Sequence, residues 1–191
     1  MTFTIPNLLS LFRMGLVPLF IISIIDGHPF RALVIFLIAG ITDALDGLIA
    51  RVFKQQSLLG TYLDPIADKL LLVSAYVTLS IPQLNQGTQI PLGVTVLVIA
   101  RDVLLVVVAL ILYLAAGVRS FPPSVLSKIN TVLQVVTVVL VLLSGTFPEI
   151  RWIDFTADTA IYLVAALTLA SALDYLIRIN RLQPAQKTPP A

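Results

Sequence analysis

Cysteine is missing from all 191 positions. That removes disulfides, thiolate metal sites and thiol catalysis. A single histidine, His28, cannot form a histidine metal site by itself. Charge is scarce too. Asp, Glu, Lys and Arg make up 12% of the chain, about half the ~25% of a soluble domain. The net charge of +2 is too small to mark a nucleic-acid surface, and no nucleic-acid partner is expected. The N-terminus has no cleavable signal pattern: its first apolar run is long enough to span a membrane, and no small-residue cleavage site precedes a polar region.

What fills the chain instead is apolar. Hydrophobic residues reach 58%, in runs of eighteen or more, the pattern of an all-α, polytopic integral membrane protein. Six transmembrane helices are expected, over Asn7–Ile25, Ala32–Ala50, Tyr62–Ile81, Pro91–Ala116, Ser124–Ser144 and Thr159–Ile179. A polar loop with an interfacial Trp152 is expected over Gly145–Asp158. Residues 1–180 then form one six-helix domain, and 181–191 a flexible, proline-rich tail. With the N-terminus inside, the inner segments hold Arg51, Lys54, Arg119, Arg178, Arg181 and Lys187, and the outer loops only Arg31 and Arg151. The positive-inside rule therefore puts both termini in the cytoplasm. The setting we expect is a bacterial inner membrane.

The few charges are concentrated. Four of the ten acidic residues, Asp43, Asp46, Asp64 and Asp68, fall within twenty-six positions. On helices, spacings of three and four put Asp43 with Asp46 and Asp64 with Asp68 on common faces. Carboxylates that close need a compensating cation, and a hard divalent ion with oxygen ligands suits them. This region lies at the cytoplasmic ends of spans two and three. Gly47 serves either close helix packing or the approach of a flat ligand to the backbone. Gly60 is expected just before span three, and Pro65 in that helix's first turn. Other charges inside spans are Arg13, Lys69, Arg101, Asp102, Lys128 and Asp174. Such groups are costly in a bilayer and are usually partnered. For Arg13, Lys69 and Asp174, a structural ion pair or a snorkelling side chain stands level with a functional role. Arg101 and Asp102 are expected to point apart, each needing a partner on another helix, with Arg101 turned to the acidic group or to an anionic substrate.

The pattern Asp43-x-x-Asp46-Gly47-x-x-Ala50-Arg51, eight residues, then Gly60-x-x-x-Asp64-x-x-x-Asp68 resembles the signature of the CDP-alcohol phosphotransferase family. Ile5-Pro6-Asn7-Leu8-Leu9 with Arg13, Ile99-Ala100-Arg101-Asp102 and Ser127-Lys128-Ile129-Asn130-Thr131 resemble its phosphatidylglycerophosphate synthase and cardiolipin synthase branch. The resemblance implies a dimeric six-helix enzyme that moves a phosphatidyl group from CDP-diacylglycerol to an alcohol and releases CMP. It implies two divalent cations, Mg²⁺ or Mn²⁺, on Asp43, Asp46, Asp64 and Asp68, with Asp68 also the general base. Gly47, Ala50, Arg51 and Gly60 would hold the CDP group.

Two acceptors stand nearly level. Phosphatidylglycerophosphate synthases of this branch commonly carry cations where this chain has Ala109 and Asn130. Their absence favours phosphatidylglycerol, with one phosphodiester charge, over glycerol 3-phosphate. Arg101, Arg119 and Lys128 are the acceptor-binding candidates. The rival from another class is a non-catalytic cation pathway lined by the aspartates. It leaves Gly47, Ala50, Arg51 and Gly60 at their fixed offsets without a purpose.

Overall fold

The computed structural model describes residues 5–53, 58–84, 87–116 and 125–182. They form six helices and, among the described residues, no strand. In order these are α1 (Ile5–Ile25), α2 (Pro29–Phe53), α3 (Leu58–Leu79), α4 (Leu92–Ala116), α5 (Val125–Thr146) and α6 (Arg151–Leu182). The shortest has 21 residues, and about 20 cover a hydrocarbon core at 1.5 Å rise per residue. Three helices are long and apolar enough, among the described residues, to cross a membrane: Leu8–Ile25, Val125–Thr146 and Arg151–Asp174.

Each helix follows from its sequence. Long apolar runs with few helix breakers propagate, and short polar segments end them. Gly27, with φ of 72°, closes α1. Gly27 N donates to Ile24 O and His28 N to Ser23 O, the paired bonds of a left-handed C-terminal cap. Only glycine adopts that backbone without a side-chain clash.

α1 packs on α2 and α3, α5 on α2 and α6, and α4 on α6. The buried centre combines Phe20, Phe36, Tyr76, Leu79, Val138 and Ile161. The Phe20 and Phe36 rings lie 6.0 Å apart and tilted by 50°, within the favoured range for aromatic pairs. Polarity runs opposite to that of a soluble bundle. Arg13, Arg101, Asp102, Asn130, Gln134 and Thr168 are buried, while Val106, Val132, Trp152, Phe155 and Tyr162 are exposed. An apolar outer surface of this extent suits contact with lipid rather than water.

Two boundaries differ from the sequence expectation. The stretch expected as a polar loop over Gly145–Asp158 is largely helical, because α6 starts at Arg151. Trp152 is exposed in its first turn rather than on a loop. Asp154 in that turn offers a negative charge to the positive helix end. It also accepts a 2.5 Å hydrogen bond from Ser144 Oγ at the end of α5. Ser144 Oγ in turn accepts from Thr88 N at 2.8 Å. The polar residues that suggested a loop are thus the staple between α5, α6 and the α3–α4 connection. The second difference is the start of α3 at Leu58. Gly60 lies inside the helix and Pro65 about two turns in, not in the first turn.

Beside the staple, Gly87 meets α5 backbone to backbone. A Cβ on Gly87 would stand 2.6 Å from Gly145 Cα and 2.8 Å from the Ser144 carbonyl carbon. Neither atom can swing away, so α5 or the connection must shift. Gly87→Ala is expected to lower the thermal midpoint of the protein in detergent by several degrees, on the order of 1–3 kcal/mol as for other overpacking changes. Gly40→Ala, where the added carbon meets nothing within 4 Å, should leave the midpoint unchanged. Equal midpoints for the two variants would refute the close approach.

Candidate active site at the α2 and α3 carboxylates

α2 is continuous through Asp43–Arg51 and α3 through Gly60–Asp68, so both halves of the acidic pattern lie on helices, as its spacing requires. The side chains of Asp46, Gly47, Ala50, Arg51, Gly60 and Asp64 lie outside the described residues, and so does Arg119. Asp43 and Asp68 are described, and the structure brings them together on a third helix. Arg13 Nη1 on α1 reaches Asp43 Oδ1 at 2.7 Å and also pairs with Asp68 Oδ1. The guanidinium is 1% exposed, whereas the two carboxylates keep 43% and 48% of their side-chain surface open. The cation thus holds them from the protein interior, and their open surface remains to meet a ligand. Arginine suits this position because its charge is permanent and its donors are fixed in a plane.

A cavity of about 160 Å³ adjoins the pair, with Arg13, Asp43, Asp68, Lys69 and Thr131 among its lining and Phe36 and Leu72 on its apolar side. The site therefore has a charged head and an apolar flank. That is the arrangement an amphiphilic, anionic substrate requires.

Arg13, thirty residues upstream of Asp43, forms an ion pair with both aspartates. The signal was available: an arginine eight residues into an apolar helix needs an anionic partner on a neighbour.

Arg101 and Asp102 do not point apart. Arg101 Nη1 donates to Asp102 Oδ1 at 2.9 Å. Each also has a partner on another helix, as expected. Asp102 pairs with Lys69 on α3. Arg101 Nη2 donates to Ser127 Oγ on α5 at 2.6 Å, and Nε to Ser171 Oγ on α6 at 3.0 Å. Arg101 is buried among these groups, not paired with Asp43 or Asp68 in the described contacts. Lys128 is exposed on α5 beside Ile129, Val132 and Val136. Asn130 is fully buried, its Oδ1 accepting from Thr168 Oγ1 on α6 at 3.2 Å. From that part of α5 it is Thr131 that lines the cavity.

Taken together, a helical bundle with an apolar exterior and a half-open carboxylate pair on a buried arginine defines a membrane protein with a polar site in its helices. Comparison with known proteins agrees. The family model described as CDP-alcohol phosphatidyltransferase matches residues 3–170, and the chain belongs to that family. It is 36% identical to a cardiolipin synthase (CMP-forming) of Homo sapiens, over 90% of this chain and 60% of that protein. It is 34% identical to the CDP-diacylglycerol--glycerol-3-phosphate 3-phosphatidyltransferase of Escherichia coli strain K12, over 92% of this chain and 94% of that enzyme. The chain thus spans about three fifths of the human relative's length and nearly all of the bacterial one's.

Loss of the guanidinium would leave two carboxylates facing each other with their interior partner gone. The carboxylates left behind are half exposed, so the cost falls between the ~1 kcal/mol of an exposed pair and the ~3 kcal/mol of a buried one. Arg13→Gln is therefore expected to drop the thermal midpoint markedly, while Lys128→Gln on the outer face leaves it within a degree or so. A midpoint for Arg13→Gln equal to the parent's would show that the pair does not hold α1, α2 and α3 together.

Proposed function

We propose that this chain is a membrane enzyme of phospholipid synthesis that moves the phosphatidyl group of CDP-diacylglycerol to a glycerol-type alcohol and releases CMP. The observation that carries the reading is the half-open Asp43–Asp68 pair on Arg13, at the edge of an apolar cavity, inside the family's sequence pattern. We propose further that all six helices cross the membrane with both termini in the cytoplasm, that the site opens at the cytoplasmic ends of α2 and α3, and that the enzyme works as a homodimer in a bacterial inner membrane. The bacterial relative supports that setting.

Divalent cations, Mg²⁺ or Mn²⁺, fit the residues present. Asp43 and Asp68 are hard oxygen donors that already converge on a positive group. With Asp46 and Asp64 they would hold the ions, which when bound neutralise pyrophosphate charge. The rest falls to the chain's own groups. Gly47, Ala50, Arg51 and Gly60 hold the nucleotide, Arg51 by a planar fork suited to phosphate oxygens. The acceptor oxygen attacks the phosphorus that carries the diacylglycerol. The bond from that phosphorus to the bridging oxygen breaks, and CMP leaves with that oxygen. Asp68 takes the acceptor's hydroxyl proton. Such a displacement needs alignment and charge stabilisation above all.

For the acceptor we favour phosphatidylglycerol, a reading in keeping with the human relative's name, cardiolipin synthase (CMP-forming), with glycerol 3-phosphate as the second reading. The bacterial relative, matched over nearly its whole length, favours the latter.

Purified protein supplied with CDP-diacylglycerol, a divalent salt and either acceptor should release CMP, and excess chelator should stop it. A cation pathway would release none. Asp68→Asn should lower turnover about 10²–10⁴-fold, the usual worth of a general base, with donor affinity changed only a few-fold. Turnover close to the parent's in that variant would remove Asp68 from the role.

A further inference from the structure

Lys69 stands at a junction. It lines the cavity beside Asp43 and Asp68. It also lines a second hollow of about 260 Å³, formed with Val73 of α3 and Ile99, Asp102, Val103, Val106 and Val107 of α4. The valine walls belong to the outer surface: Val106 is 68% exposed and Val103 55%. The hollow is therefore a groove on the lipid-facing side of the bundle, and Lys69, the cation among its described lining residues, is shared with the reaction site.

The charge on Lys69 is available. Its ammonium has three donors, and the contact described for it goes to Asp102. Asp102 has a second cation, Arg101, at 2.9 Å. An anion drawn to Lys69 would not leave Asp102 unpaired. The side chain is 47% exposed, so its desolvation cost is modest. Lys128 differs: it sits over an apolar hollow on α5 that has no residue in common with the Asp43–Asp68 cavity.

We infer that the α3–α4 groove is the lateral dock of an anionic phospholipid acceptor, whose phosphodiester pairs with Lys69 and whose acyl chains lie along Val103, Val106 and Val107. This rests on the proposed function and deepens it. A lipid acceptor must enter from the bilayer with its chains still in lipid, and this groove runs from the outer surface to a cation that also borders the carboxylates. A soluble acceptor needs no such channel. One phosphodiester charge matches one lysine, and the headgroup hydroxyl beyond it then lies on the Asp68 side.

The test uses the full chain in mixed micelles. With phosphatidylglycerol as acceptor, Lys69→Gln should raise KM about tenfold or more, the effect of losing one charged hydrogen bond, with the KM for CDP-diacylglycerol little changed. Lys69→Arg, which keeps the charge, should recover most of the loss. Val106→Trp, which fills the groove, should raise KM for long-chain phosphatidylglycerol more than for the dihexanoyl form. A binding readout stands apart from turnover. Phosphatidylglycerol with a photoactivatable acyl chain should label the peptide containing residues 103–107, phosphatidylglycerol but not phosphatidylcholine should compete, and Lys69→Gln should weaken the labelling. Absence of CMP release with every acceptor would sink the proposed function, whatever the labelling shows. Use of phosphatidylglycerol with unchanged KM in both Lys69→Gln and Val106→Trp would overturn the groove alone. Use of glycerol 3-phosphate only, or labelling confined to other helices, would overturn it as well.

Discussion

One guanidinium in the interior of α1 ties three helices to the polar site. Arg13 Nη1 holds Asp43 of α2 and Asp68 of α3 at once. In surroundings of low dielectric constant, two carboxylates so close repel strongly, and a fixed cation between them turns that repulsion into cohesion. The arrangement sets limits on everything around it. The arginine must stay buried to remain in place, and the carboxylates must stay partly open to serve a ligand. One cation against two acids also leaves the pair rich in negative charge, which suits the binding of further cations at its open side.

A second polar chain completes the bundle. Lys69, Asp102 and Arg101 join α3 to α4, and Ser127 and Ser171 extend the contact to α5 and α6. Thr168 and Asn130 add a bond between α6 and α5. Helices in lipid gain little from burying apolar side chains against one another, so packing and hydrogen bonds between helices carry more of the specificity. The inward polar residues and outward valines and aromatics are two consequences of that one constraint. Among the described residues, neither polar atom of the fully buried Gln134 amide meets a hydrogen-bond partner. Such a group is costly in an apolar interior.

The two networks meet through adjacent residues. Asp68 belongs to the first and Lys69 to the second, one position along α3. Neighbours on a helix point about 100° apart, so one backbone segment presents an acid to the α1 arginine and a base to the α4 acid. This divides the middle of α3 between the carboxylate cavity and the α3–α4 groove. It also explains why these charges can be so close in sequence without forming one undifferentiated cluster.

Much was legible from the sequence because it depends on local or compositional physics. Apolar runs near the length of a bilayer crossing marked six helices, and spacings of three and four put Asp43 with Asp46 and Asp64 with Asp68 on common helix faces. The family pattern over Asp43–Asp68 was visible because its offsets are helical offsets. Local polarity misled where tertiary contacts satisfy it: Asp154 and its neighbours read as a loop but begin α6, since Ser144 and the helix end use that charge. Helix length around Gly60 and Pro65 was likewise decided by the context of α3 and not by those two residues. Only the tertiary structure could pair Arg13 with carboxylates thirty and fifty-five positions away, turn Arg101 onto Asp102, Ser127 and Ser171, or set Lys69 between two hollows. Sequence spacing states which residues share one helix face. Which helices those faces meet is decided by packing between segments distant in the chain, and no single segment encodes it.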